Sequence, residues 1–126
     1  MANPTKSNLD NRALVVGRAF YDARTILSGE SVSEGDVLGA VTATGKLRVC
    51  DSTETDGSEV AIAVATKDID AAGGDVTDQD VLIAGEVNGD LLTFGGTDDL
   101  ADHFDELRDV GIIPVTGEAI GEYNNA

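Results

Sequence analysis

Val81-Leu82-Ile83-Ala84-Gly85-Glu86-Val87 leads into the turn Asn88-Gly89-Asp90, then Leu91-Leu92-Thr93-Phe94, Gly95-Gly96 and the segment Thr97 to Arg108. The first run is rich in aliphatic residues and bounded by turn formers, which predicts a strand. Leu91 to Phe94 then runs into the Gly95-Gly96 turn. The period then changes. Leu100, Phe104 and Leu107 recur at i, i+4 and i+7, one apolar stripe of a helix. Thr97 is placed to cap that helix, with Asp98 and Asp99 beside the positive end of its dipole. Arg108 stands near its C-terminal end, Gly111 can close it in a left-handed conformation, and Pro114 forbids continuation. Ile112, Ile113 and Val115 read as a final strand. The fold class is therefore mostly β (α+β), a small β-rich domain with one late α-helix.

Upstream, the period is mostly two. Val37 to Val41 and Leu47 to Cys50 are short β-prone runs joined through Gly45, where a hairpin needs a positive φ. Ser33-Glu34-Gly35-Asp36 and Asp70 to Asp75 are turns by composition, and Asp51 to Glu59 reads as a solvated acidic loop. Val60-Ala61-Ile62-Ala63-Val64-Ala65 alternates large and small apolar residues, as suits a strand packed on both faces. Residues 1–24 hold Lys6, Arg12, Arg18 and Arg24 against Asp10 and Asp22, so the opening is cationic while the rest is strongly acidic. The apolar part of the opening, Leu14-Val15-Val16 and Phe20-Tyr21, reads either as a terminus leading into a first strand or as an arm that docks on something else. The organisation taken is an N-terminal arm over 1–23, a β-rich domain over 24–115 and a polar tail over 116–126.

The whole chain has 126 residues, 24 acids and 8 Lys or Arg, a formal charge of −16. That length suits one domain with one modest core. The charge argues against nucleic acid and against an anionic membrane surface as partners, since both need clustered cations. No run reaches the roughly 18 apolar residues of a membrane span, and no signal peptide is expected after Met1 to Lys6. Sixteen of the acids are Asp and only three of the bases are Lys, a bias that suggests a salt-rich habitat.

Candidate chemistry is sparse. His103, between Asp102 and Phe104, reads as a surface residue on an acidic helix, without the partners that acid–base catalysis requires. Cys50 is the single Cys, so no internal disulfide can form, and it reads as a small buried hydrophobe. One Cys and one His argue against structural zinc, which takes about four such ligands. Asp68, Asp70, Asp75, Asp78 and Asp80 invite a calcium reading, but their spacing is not that of an EF-hand. No catalytic residues, metal ligands or cofactors are assigned, and no enzymatic activity is expected. One alternative is a lipoyl or biotinyl carrier, or a small-ligand-binding β-domain, with Glu34-Gly35-Asp36 before a strand and Lys46 at a hairpin tip.

Taken in order, several stretches resemble the head decoration proteins of tailed phages, the lambda-like capsid-stabilising family. They are Arg24 to Glu30, Gly35 to Gly39, Val41 to Lys46, Asp56 to Glu59, Ala72 to Val76, Val81 to Asn88, Leu91 to Phe94, and the late helix followed by Gly111-Ile112-Ile113. The resemblance covers about residues 24–115. It implies a homotrimer on the outer surface of an expanded icosahedral virion capsid, made in the host cytoplasm, with the major capsid protein as partner. The implied role is to hold the shell against the pressure of packaged DNA. An N-terminal arm would make the capsid contact, and the candidate residues are Arg12, Leu14, Val15, Val16, Arg18, Phe20 and Tyr21. Deleting residues 1–22 is then expected to leave a folded body.

Overall fold

A computed structural model describes residues 13–115 of the chain. Eight strands run in chain order: β1 (Val15–Ile26), β2 (Ser31–Val32), β3 (Val37–Ala40), β4 (Leu47–Val49), β5 (Ala63–Ala65), β6 (Ile69–Asp70), β7 (Val76–Asn88) and β8 (Ile112–Val115). A 3-10 turn, Gly89–Leu91, follows β7, and the helix α1 (Leu100–Asp109) precedes β8. The larger sheet has the order β1-β4-β3-β5-β7-β8, and β1 also pairs with β7. That extra pairing brings β1, β4, β3, β5 and β7 into a closed ring, with β8 outside it on the far end of β7. The ring closes through a single β1–β4 pair, Ile26 with Leu47. A small second sheet, β2 with β6, lies to one side.

The strands carry core on both faces. Neighbouring residues of one strand point to opposite sides, and here both sides are buried. Val37, Val64 and Leu82 join one apolar cluster, with Leu107 and Ile112. Their chain neighbours Leu38, Ala63 and Val81 join another, with Ile26 and Leu47. The first cluster is roofed by α1 and β8. Small residues at Ala63 and Ala65 let the strands lie close, as the alternation predicts. The strand itself is shorter than expected: Val60 is exposed, and the backbone N–H of Ala61 leaves the sheet to donate to the Glu106 carboxylate at 2.9 Å.

The run Val81 to Val87 is a strand as read, but β7 begins five residues earlier. Residues 76–80 include Thr and Asp and carry little β signal of their own; they are ordered by pairing with β1, as in Ala23↔Asp80 and Arg24↔Gln79. Leu91 to Phe94 forms no regular strand. The Asn88 side chain accepts from the N–H of Asp90 and winds the chain into the 3-10 turn. Only Thr93 then makes a bridge, to Asp36.

The helix starts two residues later than expected. Asp99, not Thr97, is its N-cap, accepting from Asp102 N–H while the Asp102 carboxylate accepts from Asp99 N–H. This reciprocal capping box satisfies two amides at once, which a lone Thr97 hydroxyl could not match. Gly111 takes a positive φ of 92° after the helix, as predicted. Pro114 is accommodated in β8, which pairs with β7 alone and so spares the missing N–H.

The long strand β1 crosses the expected boundary between arm and domain. The boundary placed at residue 23 falls inside it, because residues 15–26 pair with β7 in one ladder from Val15↔Val87 to Ile26↔Val76. Residues 1–12 and 116–126, and with them Arg12 and the polar tail, lie outside the described residues. Among the described residues no helix is long and apolar enough to cross a membrane.

Candidate functional site

Two places on the domain carry unusual side chains: the outward face of β1 and a polar cluster beneath α1. On β1 the arm residues divide. Leu14 is 6% exposed and joins the core under α1, and its carbonyl accepts from Asn88 N–H at 2.7 Å. Val15 and Val16 are half-buried. Arg18, Phe20 and Tyr21 face solvent, the two rings 55% and 51% exposed. Consecutive residues of a regular strand should not both point outward. Here β1 is exposed on both of its faces, from Phe20 through Ala23, so both rings meet solvent; the register shift between Phe20 and Tyr21 places its extra residue, Ile83, in β7.

Gly85 makes the close approach of the two strands possible. It takes a φ of +132°, and a Cβ there would stand 2.2 Å from the Arg18 carbonyl oxygen. Beside it, Arg18 N–H donates to the Glu86 carboxylate at 2.9 Å. The opposite edge of β1 is open. Among the described residues it pairs only at its last position, Ile26 with Leu47 of β4. A stretch of backbone next to two exposed aromatic rings is thus left for another strand to use.

Beneath α1, His103 is 2% exposed. The expectation of a surface histidine is wrong, and the helix stripe explains why. His103 lies three residues after Leu100 and four before Leu107, on the buried face, while Phe104 sits at its flank under the Arg108 guanidinium. The imidazole stacks on Phe94, with centroids 5.1 Å apart. Its Nδ1 meets Glu106 Oε1 at 2.6 Å and its Nε2 meets Asp98 Oδ2 at 2.8 Å. Burial alone disfavours the imidazolium, but the two carboxylates outweigh it and hold the His103 pKa above its ordinary value. The hydrogen bond from His103, with two more from Ser52, brings Asp98 down to about 2.

Cys50 Sγ lies 3.7 Å from His103 Nδ1 and 3.9 Å from Nε2, and its thiol donates to the Glu59 carbonyl at 3.5 Å. It is buried, as expected. Burial first, and then the surrounding Glu106, Asp98, Asp51 and Glu59, push the thiol up to about 12. A thiol held protonated is a poor nucleophile, so the likeness to a cysteine–histidine–carboxylate triad does not extend to its chemistry. Sequence spacing could not bring residues 50 and 103 together; the position of His103 on the Leu100–Leu107 stripe was the available signal.

The remaining candidates are engaged structurally. Lys46 Nζ pairs with Asp75 at 2.5 Å. Asp75 also accepts from Ser28 N–H, Asp68 from Glu34 N–H and Asp70 from Ala72 N–H, each bracing a loop. Arg48 gathers Glu30, Glu54 and Asp56 within 3.6 Å.

No curated protein matches the chain in sequence. The family model of the bacteriophage lambda head decoration protein D matches residues 12–112, which takes in β1 to α1 and the first residue of β8. That span begins upstream of the expected resemblance and includes the strand first read as an arm. It also contains the closed sheet, the exposed rings of β1 and the cluster beneath α1. With four-fifths of its length matched, the chain belongs to the head decoration protein family, a structural family associated with tailed-phage capsids.

Proposed function

We propose that this protein is a non-enzymatic cement of an icosahedral capsid. It binds the outer surface of the expanded shell as a homotrimer, contacts the major capsid protein and holds the shell against internal DNA pressure. Family membership over residues 12–112 is the observation that carries the reading. Docking uses the segment through Arg12 together with the outward side of β1, where Arg18, Phe20 and Tyr21 are presented beside an open strand edge. Buried Leu14 and half-buried Val15 and Val16 fasten the base of that surface to the body.

The open edge supports strand addition as the mode of contact, because unpaired backbone groups give affinity and flanking side chains give register. Exposed aromatic rings supply apolar area at little entropic cost. A trimer multiplies weak single contacts by avidity, and each bound copy lowers the free energy of the expanded shell by RT ln(1 + [L]/Kd). Truncation at residue 22 is no test of this, since it removes Leu14 and most of β1. The informative variants are deletion of residues 1–12 and the pair Phe20→Ser with Tyr21→Ser. Both are expected to keep the wild-type circular dichroism and lose co-sedimentation with expanded shells. Full binding by both variants would refute docking through this surface. Absence of wild-type binding to any expanded shell would refute the capsid role itself.

A further inference from the structure

We propose that Cys50, His103 and Glu106 form a binding site for a transition-metal dication of the zinc class, with Asp98 holding the imidazole from its far side. The donor atoms, one sulfur, one ring nitrogen and one carboxylate oxygen, all lie within 4.8 Å of one another. Three such ligands plus an open position is a recognised zinc arrangement. It does not need the four Cys and His ligands of a structural zinc finger.

The separations fit one ion. Bonds of about 2.0–2.1 Å to nitrogen or oxygen and about 2.3 Å to sulfur, at tetrahedral angles, place sulfur and nitrogen about 3.6 Å apart and nitrogen and oxygen about 3.4 Å apart. Cys50 Sγ and His103 Nδ1 stand at 3.7 Å already. Glu106 Oε1 and Nδ1 stand at 2.6 Å, a hydrogen-bond distance, so Glu106 must withdraw by about 0.8 Å as the ion replaces the proton between them. Its side chain is a third exposed, which gives it room and gives the ion a path in.

Asp98 is the second, independent observation. A metal-bound imidazole almost always donates its other N–H to a carboxylate, a backbone carbonyl or a water, which fixes the tautomer and raises the basicity of the ligand. Asp98 occupies that place at 2.8 Å from Nε2. It is oriented in turn by Ser52, whose N–H and hydroxyl donate to its two oxygens at 2.6 and 2.7 Å. Charge points the same way. Asp51, Glu59, Asp98 and Glu106 all lie close enough to act on Cys50, a concentration of carboxylates that a dication would relieve. Binding would release the thiol proton of Cys50 and the Nδ1 proton of His103 to solvent, and the dication would take over their neutralising role. The ion would tie the end of β4 to α1, in a domain that has no disulfide to do so.

The experiment uses the full chain, stripped with a chelator and titrated with cobalt(II) in excess magnesium, so that exposed acids are already occupied by a hard ion. The wild type is expected to bind a single equivalent and to develop tetrahedral d–d bands with a thiolate charge-transfer band. Zinc is expected to displace the cobalt and to raise the melting temperature. Cys50→Ser should abolish the charge-transfer band, and Asp98→Asn should keep it while weakening affinity about 10–100-fold. A wild-type titration with no charge-transfer band overturns the proposal without reliance on any variant. Unchanged cobalt affinity in Cys50→Ser overturns it as well.

Discussion

Replacing Gly85 by Ala tests whether β1 belongs to the body of the protein. The substitution meets two separate costs. Gly85 sits at φ +132°, a conformation that costs an L-residue about 1–3 kcal/mol. The new methyl group would also lie 2.2 Å from the Arg18 oxygen, 2.7 Å from Ala19 Cα and 3.0 Å from the Arg18 carbonyl carbon. All three are backbone atoms, so no side chain can swing aside. β1 must retreat by about 1 Å from a strand normally 4.7–4.9 Å away, which weakens the neighbouring ladder bonds at about 0.5–1.5 kcal/mol each. Two weakened bonds plus the conformational strain give a loss of about 2–6 kcal/mol, a large share of the stability of a small domain.

Gly74 supplies the control. Its φ is +152° and nothing lies within 4 Å of a Cβ built there, so Gly74→Ala meets the conformational cost alone. Urea unfolding followed by circular dichroism measures both, since the chain has no Trp to report by fluorescence. G85A is expected to be less stable than G74A by about 1–3 kcal/mol, the ladder contribution. Trypsin should cut G85A at Arg18 and Arg24 under conditions that spare the wild type. Equal stabilities, with both arginines protected in both variants, would falsify the packing of β1 on β7 at this register.

Asp99→Ala is expected to lose about 1 kcal/mol through the broken capping box, while Thr97→Ala stays near wild type in the same denaturant titration; the reverse order would restore Thr97 as the cap. Arg48→Met leaves Glu30, Glu54 and Asp56 crowded without their cation, so thermal unfolding should show a loss of about 1–3 kcal/mol, and an unchanged midpoint would mean that the network is inert. Hydrogen bonds from Lys46 and then Ser28 lower the pKa of Asp75 below its ordinary value. A depressed carboxyl stabilises the fold above its unfolded pKa and loses that contribution as pH falls through the folded one. The stability gap between wild type and Asp75→Asn should therefore be full at pH 7 and close in the acid range below pH 4, and a gap constant with pH refutes the linkage. Added salt should raise the melting temperature of a chain at −16 by screening its self-repulsion; a fall or no change would show that the acids are locally compensated.

Local pattern carried much of the fold, and what it missed was created by contacts distant in sequence. The helix, the Gly45 and Gly111 turns and the central part of β7 follow from period, turn chemistry and caps that act within a few residues. The opening stretch could be read as a lead into a first strand or as a docking arm, because its exposed half, with Arg18, Phe20 and Tyr21, alternates badly; its ladder with β7, some sixty residues on, makes residues 15–26 a strand. The Asp-containing start of β7 was missed for the same reason, seen from the other side. The cluster at Cys50 and His103 was invisible to spacing, since 53 residues separate its members.

The acidity itself now has a structural component. Asp51 accepts from Thr53 N–H, Asp56 from Ser58 N–H and Asp70 from Ala72 N–H, each two residues ahead. Asp68, Asp75 and Asp98 reach across to Glu34, Ser28 and Ser52 and pin one loop to another. A short carboxylate does this well and the longer Glu less so, because Asp places its oxygens within reach of a backbone amide two residues on. A domain of short strands joined by many turns thus selects Asp over Glu on geometry alone. The Asp bias ceases to be an independent sign of a salt-rich habitat. What remains for habitat to explain is the scarcity of Lys and the net charge, and of these only the charge responds to salt.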